Sequence, residues 1–107
     1  MTVEAADLVL RALADPTRRT MLRLVRSEEL AAGQIAAHFT MTQQAVSQHL
    51  QVLRRAGLIE ERREGTRRLY QLRPDALGPV RALLDDLWPD ALDRLKRTVE
   101  EDKRRRS

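Results

Sequence analysis

The sequence predicts a mainly α-helical fold with one small β-hairpin, and three observations support this. Residues 34–58 contain two short amphipathic segments separated by only three or four residues, the spacing of a helix-turn-helix. A hairpin pattern with a glycine in its loop follows directly, and the C-terminal third has apolar residues at helical spacing. This order predicts a winged helix-turn-helix with four helices, a two-stranded wing and a C-terminal helix.

Length and composition limit the possible folds and the possible cellular locations. The 107 residues predict a single domain, 1–107, and the absence of cysteine excludes disulfides and thiolate metal sites. The 20 basic and 16 acidic residues give a net charge of +4, which fits a folded domain with one basic face. No apolar run approaches the roughly 18 residues of a membrane span, and no signal-peptide core is visible. We therefore expect a cytoplasmic protein without a membrane partner.

Four helices are predicted before the hairpin, over residues 5–14, 16–26, about 32–39 and 43–56. Asp15 can cap the second helix, and Pro16 suits its first position. Thr42 is the predicted N-cap of the fourth helix, and Gly57 is placed to end it in a left-handed conformation. The third helix has no good capping residue before it, so its start is assigned to either position 32 or 33.

The fourth helix has a polar, uncharged face. At about 100° per residue, Val46, Leu50 and Leu53 form its buried stripe, and glutamines occupy the opposite face, where a soluble helix normally carries charge. Glutamine can pair with adenine through two hydrogen bonds, and recognition helices present their first turns to base edges. The predicted base contacts are Gln43, Gln44, Ser47 and Gln48. The predicted backbone contacts further along are Gln51, Arg54 and Arg55. Alternatively, the glutamines only solvate the helix.

The hairpin is predicted from strands 58–63 and 67–72 around the loop 64–66. Arginines cluster about that loop, and a hairpin so placed can lie along the adjacent DNA backbone or minor groove. The predicted wing contacts are Arg62, Arg63, Arg67 and Arg68. A protected edge hairpin would also be charged, and neighbouring glutamates make local ion pairs available, so both interpretations stay open.

The C-terminal third predicts a dimer interface. Apolar residues recur from Val80 to Val99 at helical spacing, and Pro89 should kink or split this helix. The stripe is longer than a small core can cover, so we assign about 76–102 to a dimerisation helix that packs on the first helix and on a second copy across a two-fold axis. The predicted interface residues are Leu8, Val9, Val80, Leu84, Leu87, Trp88, Leu92 and Leu95.

Three segments are more specific than the overall pattern: LADPTRRTMLRLV at 13–25, AVSQHLQVLRRAGLI at 45–59 and REGTRRLYQL at 63–72. They resemble the ArsR/SmtB family of bacterial winged-helix repressors, and the resemblance covers roughly residues 5–100. It implies an obligate dimer, with the first and last helices in its interface, that binds a near-palindromic operator and blocks transcription. By position, it implies base contacts at the four residues already named in the fourth helix.

Two departures from the family pattern bear on cofactors. The family's thiolate sensor site would lie at positions 30–33, which here contain no metal ligand. The last helix has aspartates but no histidine, and arginines four residues after Asp90 and Asp93 favour helix-surface ion pairs over metal binding. His49 is expected at the edge of the apolar stripe of the fourth helix, and His38 on the surface of the third. We predict no metal and no cofactor, and leave the identity of any effector open.

These features predict a sequence-specific, double-stranded DNA-binding transcriptional regulator, most simply a dimeric, metal-independent repressor that includes its own gene among its targets. No nucleophile–base pair, phosphate loop or metal set indicates an enzyme. The main alternative is a winged-helix protein-docking module, which should expose apolar anchors on the fourth helix. Contact chemistry does not distinguish repression from activation.

Overall fold

The computed structural model describes residues 2–106, without the side chains of residues 2–4, 91 and 92. The elements in chain order are α1 (Thr2–Leu13), α2 (Pro16–Val25), β1 (Leu30–Ala31), α3 (Ala32–Ala36), α4 (Gln43–Arg55), β2 (Ile59–Glu64), β3 (Arg67–Leu72), α5 (Gly78–Leu87) and α6 (Ala91–Arg106). The three strands form one antiparallel sheet in the order β1-β3-β2. This mainly helical architecture with a small sheet confirms the predicted fold class.

Both predicted helix caps are present. Asp15 Oδ1 accepts the N–H of Thr17 at 2.7 Å and of Arg18 at 3.2 Å. Partial burial alone would raise the pKa of Asp15, but these two donors and the Arg18 charge outweigh it and hold the pKa below its ordinary value. At the start of α4, Thr42 Oγ1 accepts the N–H of Ala45 at 3.1 Å. Both helices therefore begin at the predicted residue.

Two local differences separate the structure from the prediction. α3 ends at Ala36 rather than near position 39, and a turn follows it. It starts at position 32. The N–H of Ala31, just before the helix, donates a hydrogen bond to the side chain of Gln34 within α3, at 2.8 Å from Oε1. The strand β1 is not predicted from the sequence, because its two residues are too few to show an alternating pattern.

The core lies between the helices and the sheet, and it determines how α4 is oriented. The predicted stripe of α4 is buried, with Val46, Leu50 and Leu53 at most 3% exposed. Burying an aliphatic side chain of this size contributes roughly 1.5–3 kcal/mol, so α4 cannot rotate about its axis without a large loss. The largest fully buried side chains come from five elements: Met21, Ile35, Leu53, Ile59, Val9 and Val46.

In the hairpin, Ile59 pairs with Leu72 at the open end and Glu64 pairs with Arg67 next to the loop. Gly57, with φ of 76°, ends α4 in the left-handed conformation as predicted, and Gly65, with φ of 63°, turns the wing loop. The loop is one residue shorter than predicted, because Glu64 still belongs to β2. Only three residues, 56–58, separate α4 from the wing, so the wing is held beside the helix.

The C-terminal stripe is split, as Pro89 predicts. α5 ends at Leu87 and α6 begins at Ala91, with Asp90 at φ of 68° between them. α5 packs on α1, while α6 contacts α5. The radius of gyration is 16.7 Å, larger than the roughly 13 Å of a compact domain of this length. Within residues 2–106, no helix is long and apolar enough to span a membrane.

Candidate nucleic-acid interface

The N-terminal half of α4 presents a polar face to solvent. Its four predicted base-contact residues, Gln43, Gln44, Ser47 and Gln48, are all exposed. Gln44 and Gln48 lie directly opposite the buried stripe, while Gln43 and Ser47 lie on the flank that adjoins α3. Because the stripe is anchored in the core, these amides and the hydroxyl project from a rigid helix. They can donate and accept hydrogen bonds at once, as base edges in a major groove require.

Further along α4, the predicted backbone contacts are also exposed but are not equivalent. Gln51 lies on the polar face, and Arg55 has no ion pair among residues 2–106. Arg54 instead pairs with the wing, its Nη1 lying 3.1 Å from Glu61 Oε2. The helix thus offers one guanidinium without an acidic partner and one held by the neighbouring element.

The four wing arginines divide between the two faces of the hairpin. Antiparallel pairing puts Arg63 and Arg68 directly opposite each other on one face, shared with Glu61 and Tyr70. Arg62 and Arg67 lie on the other face. Sequence clustering alone cannot show this division, because all four residues surround the same short loop.

Arg62 is held by an acidic side chain. Its Nε and Nη2 donate to the two carboxylate oxygens of Glu29 at 2.8 and 3.1 Å, and Nη2 also lies 3.4 Å from Glu64. These hydrogen bonds lower the pKa of Glu29 and raise the pKa of Arg62. Arg62 therefore ties the wing to the segment before β1, a structural role that its prediction as a DNA contact did not include.

Arg67 has a weaker partner. Its Nη2 donates to Gln34 Oε1 of α3 at 3.3 Å, the same oxygen that accepts the N–H of Ala31. Arg63 is exposed and has no ion pair in the part of the chain that the structure describes. Among the wing arginines, Arg63 and Arg67 thus have no carboxylate partner within the described residues.

A cleft of about 280 Å³ separates the second half of α4 from the wing. We call it the junction cleft; it is lined by Ser47, Leu50, Gln51, Arg54, Glu61, Arg68 and Tyr70. Glu61 lies opposite Tyr70 in the hairpin register, and its carboxylate contacts arginines from both elements. Burial, and then the Glu61 charge, raise the pKa of Tyr70, so its hydroxyl stays protonated at neutral pH. Tyr70 is not among the predicted site residues, because its position opposite Glu61 depends on the observed register of the hairpin.

A second surface is apolar and lies at the C-terminal end. We call the exposed large side chains of α5, the turn after it and α6 the apolar C-terminal surface: Leu87 (54% exposed), Trp88 (59%), Leu95 (60%) and Val99 (46%). Leu8 of α1 is 47% exposed, while Val80 and Leu84 are partly buried.

Among the predicted interface residues, Val9 is a core residue. Val9 is completely buried within one chain, so it has no surface left for a second copy, and its assignment to the interface is corrected to the core. The helical pattern placed it on the same side as Leu8, but α1 turns Val9 towards the core and Leu8 away from it. The side chain of Leu92 lies outside the described part of the structure.

The candidate metal ligands do not converge. Within the described residues, no group of three or more histidines, aspartates or glutamates could hold a metal ion. His49 is half-buried, with Nδ1 3.3 Å from Arg18 Nη1, and His38 is exposed. The expected ion pairs from Asp90 and Asp93 to the arginines four residues on are not formed among residues 2–106, because Asp90 is in the turn before α6 and the exposed side chains stay apart.

Comparison with known proteins gives a consistent result. A family model described as bacterial regulatory protein, arsR family, matches residues 15–61. The HTH-type transcriptional regulator Rv2034 of Mycobacterium tuberculosis is 43% identical over 91 residues, which is 85% of each chain. The transcriptional repressor SdpR of Bacillus subtilis is 38% identical over 69 residues, covering 64% of this chain and 77% of that protein.

A solved structure agrees with these relatives. The solution structure of the homodimeric winged helix-turn-helix DNA-binding domain Mb0332 from Mycobacterium bovis, a possible ArsR-family transcriptional regulator, is 32% identical. It superposes with a TM-score of 0.65 and covers 86% of this chain and 85% of that one. The proteins similar to this chain are regulators of transcription, not enzymes.

Proposed function

Since the chain belongs to the ArsR family and is a DNA-binding transcriptional regulator, we propose that it is a cytoplasmic, homodimeric, metal-independent repressor. The observation that supports this best is the exposed, uncharged polar face of α4, anchored by its buried stripe and placed beside an arginine-bearing wing. No exposed large apolar side chain lies on that face among the described residues, which argues against a protein-docking module.

In the proposed complex, α4 enters the major groove and the wing lies along the backbone or minor groove. Gln44 and Gln48 read base edges, supported by Gln43 and Ser47 on the flank. Arg55 and Arg63, which have no carboxylate partner, are the best placed to neutralise phosphates, with Arg54, Arg67 and Arg68 assisting. Arg62 contributes indirectly, because it holds the wing in place through Glu29.

The homodimer is proposed from the apolar C-terminal surface. Its side chains are about half exposed, which is a liability in a monomer. Leu8 of α1 is also about half exposed. The solved Mb0332 domain is homodimeric. A two-fold dimer places two copies of α4 on one side of the duplex, so the operator should consist of two near-palindromic half-sites about one helical turn apart.

Metal independence is proposed from the donor set. The chain has no cysteine, and within the described residues no group of three or more histidines, aspartates or glutamates could hold a metal ion. Repression is proposed because a dimer that covers an operator blocks access to the promoter, and SdpR, a relative, is named a repressor. Without a metal signal, the concentration of the protein itself can set the level of repression, including that of its own gene.

The test is selection of bound duplexes from a random library with the full chain. We expect enrichment of a near-palindromic site whose half-sites are separated by about one helical turn. Placing the selected site in a promoter should then lower reporter expression when the protein is present. A protein that enriches no sequence would contradict the DNA-reading proposal, and raised expression would contradict repression alone.

A further inference from the structure

One carboxylate in the junction cleft holds arginines from both halves of the interface. Glu61 Oε2 lies 3.1 Å from Arg54 Nη1 of α4, and Glu61 Oε1 lies 3.5 Å from Arg68 Nε of β3. The two carboxylate oxygens are thus divided between the helix and the wing. The Glu61 side chain is 15% exposed, while those of Arg54 and Arg68 are 60% and 55% exposed.

This arrangement leaves both arginines usable while restricting where they point. Each guanidinium has five N–H donors in a rigid fork, and the Glu61 contact occupies one side of it. With 60% and 55% of their side chains exposed, Arg54 and Arg68 both remain accessible to a phosphate. The cluster keeps a net charge of +1, so it still attracts a phosphate, but less strongly than two unpaired arginines would.

We propose that Glu61 determines specificity by positioning Arg54 and Arg68, so that their grip on phosphate depends on how α4 sits in the groove. This inference rests on the proposed function. A freely moving arginine finds a phosphate on any duplex, whatever the register of the helix. Arginines held at the junction of helix and wing reach phosphates only when α4 is seated at the correct depth and angle.

The charge of Glu61 acts in the same direction. It lies near the proposed path of the backbone and offsets part of the positive potential, which weakens binding to every sequence. On the preferred site this cost is offset by the two positioned contacts, whereas on other sequences it is not. Glu61 should therefore widen the ratio between specific and non-specific affinity rather than raise affinity itself.

The first test compares Glu61→Gln with Glu60→Gln in the full-length protein. Both substitutions remove one negative charge from β2, but Glu60 lies on the opposite face of the hairpin and accepts a hydrogen bond from Gln71 at 2.8 Å. Affinities are measured by fluorescence anisotropy on the selected duplex and on a scrambled one, at several salt concentrations. Thermal unfolding of each variant checks that it is folded.

For Glu61→Gln we expect the scrambled duplex to bind more tightly, with a steeper salt dependence, and the specificity ratio to fall about fivefold, as loss of a positioned ion pair allows. Glu60→Gln should change both affinities together and keep the ratio. If the two variants behave alike, the effect is one of net charge only and the proposal is overturned.

A second pair of variants keeps all charges. Arg68→Lys retains the positive charge but loses the guanidinium whose Nε lies 3.5 Å from Glu61, whereas Arg63→Lys makes the same change at the cross-strand neighbour that has no carboxylate partner. The specificity ratio should fall for Arg68→Lys, whereas Arg63→Lys, at a proposed phosphate contact, should change the affinities for both duplexes together. An unchanged ratio for Arg68→Lys would contradict positioning even if Glu61→Gln failed to fold. A wild-type protein without sequence preference would instead overturn the proposed function.

Discussion

α4 and α6 are both amphipathic helices, but the chain covers the apolar stripe of one and leaves that of the other exposed. Val46, Leu50 and Leu53 of α4 are between 0% and 3% exposed, because α1, α2, α3 and the sheet pack against them. Leu95 and Val99 of α6 are 60% and 46% exposed. Periodicity therefore shows which side of a helix needs a partner, but not whether the same chain supplies it.

The comparison also separates two kinds of amphipathic function. In α4 the buried stripe is the anchor and the opposite polar face is presented to a ligand. In α6 the opposite face is strongly charged, and the apolar stripe itself is the surface proposed for contact with a second copy. Each of these surfaces can therefore be disrupted separately by substitution.

The largest effect is expected from breaking the apolar C-terminal surface. Leu95→Glu places a charge in the proposed interface, so sedimentation should shift from about twice the 12.3 kDa chain mass to a single chain. Operator affinity should then fall by at least about 10²-fold, because the second half-site no longer binds intramolecularly. Lys96→Gln, which makes the same change in net charge on the neighbouring residue, should leave the mass unchanged. A wild-type protein that sediments as one chain would refute the dimer.

A smaller effect is expected from the polar face of α4. Gln44→Ala or Gln48→Ala should cost roughly 1–3 kcal/mol on the selected duplex and relax base preference at the positions they contact. The scrambled duplex should bind almost as before. Arg67→Ala serves as the contrast, because it should weaken both duplexes evenly and reduce the salt slope by about one phosphate contact. Equal losses on both duplexes for the glutamine variants would mean that α4 is not the element that reads sequence.

A smaller effect again is expected from removing the N-cap of α2, a helix that packs against α4. Asp15→Ala removes the N-cap of α2 and should lower the free energy of unfolding by about 1 kcal/mol at neutral pH. The folded pKa of Asp15 is depressed, so its stabilisation is present above the ordinary carboxyl pKa of 3.8 and is lost as the pH falls through the folded value. The difference between the variant and the wild type should therefore shrink below about pH 4.

The measurement for the cap is denaturant unfolding as a function of pH. Asp7→Ala, at an exposed position of α1, removes the same charge without removing a cap and is the matched control. Because Asp15 caps α2 and is not among the proposed interface residues, its loss should not change the dimer mass. A stability difference that persists at low pH would show that Asp15 acts through something other than its ionised cap.

The smallest effect is expected from metals. Zinc, cadmium or arsenite at stoichiometric concentration should leave operator affinity within experimental error, because the chain lacks thiolates and no ligand set converges among the described residues. The assay is the same anisotropy titration with and without the metal. Saturable metal binding that releases DNA would show that the histidines or the aspartates of α5 and the following turn form a site.

Much of the scaffold of the site is predictable from local chemistry. Asp15 and Thr42 cap the helices that follow them, Gly57 ends α4 with a positive φ, and Pro89 separates α5 from α6. Each of these outcomes depends on the backbone preferences of one or two residues, so the sequence reveals them directly.

The partners of the wing arginines are not predictable in this way. Arg62 pairs with Glu29 and Arg67 with Gln34, each more than thirty residues away in sequence. The basic cluster is visible in the sequence, but which of its arginines are held by acids and which are left available is not. Val9 was misplaced for a different reason: α1 is apolar on more than one side, so periodicity alone does not show which side meets the core.

The sequence by itself determined the order of the helices and of the wing hairpin, the polar face of α4 and the need to cover an apolar C-terminal stripe, because periodicity, capping and glycine preferences act over a few residues. The tertiary structure decided which arginines meet carboxylates, that β1 joins the sheet, and that Glu61 lies between the helix and the wing. These depend on contacts between residues distant in the chain, and such contacts form only once burial of the core has set the elements at fixed positions.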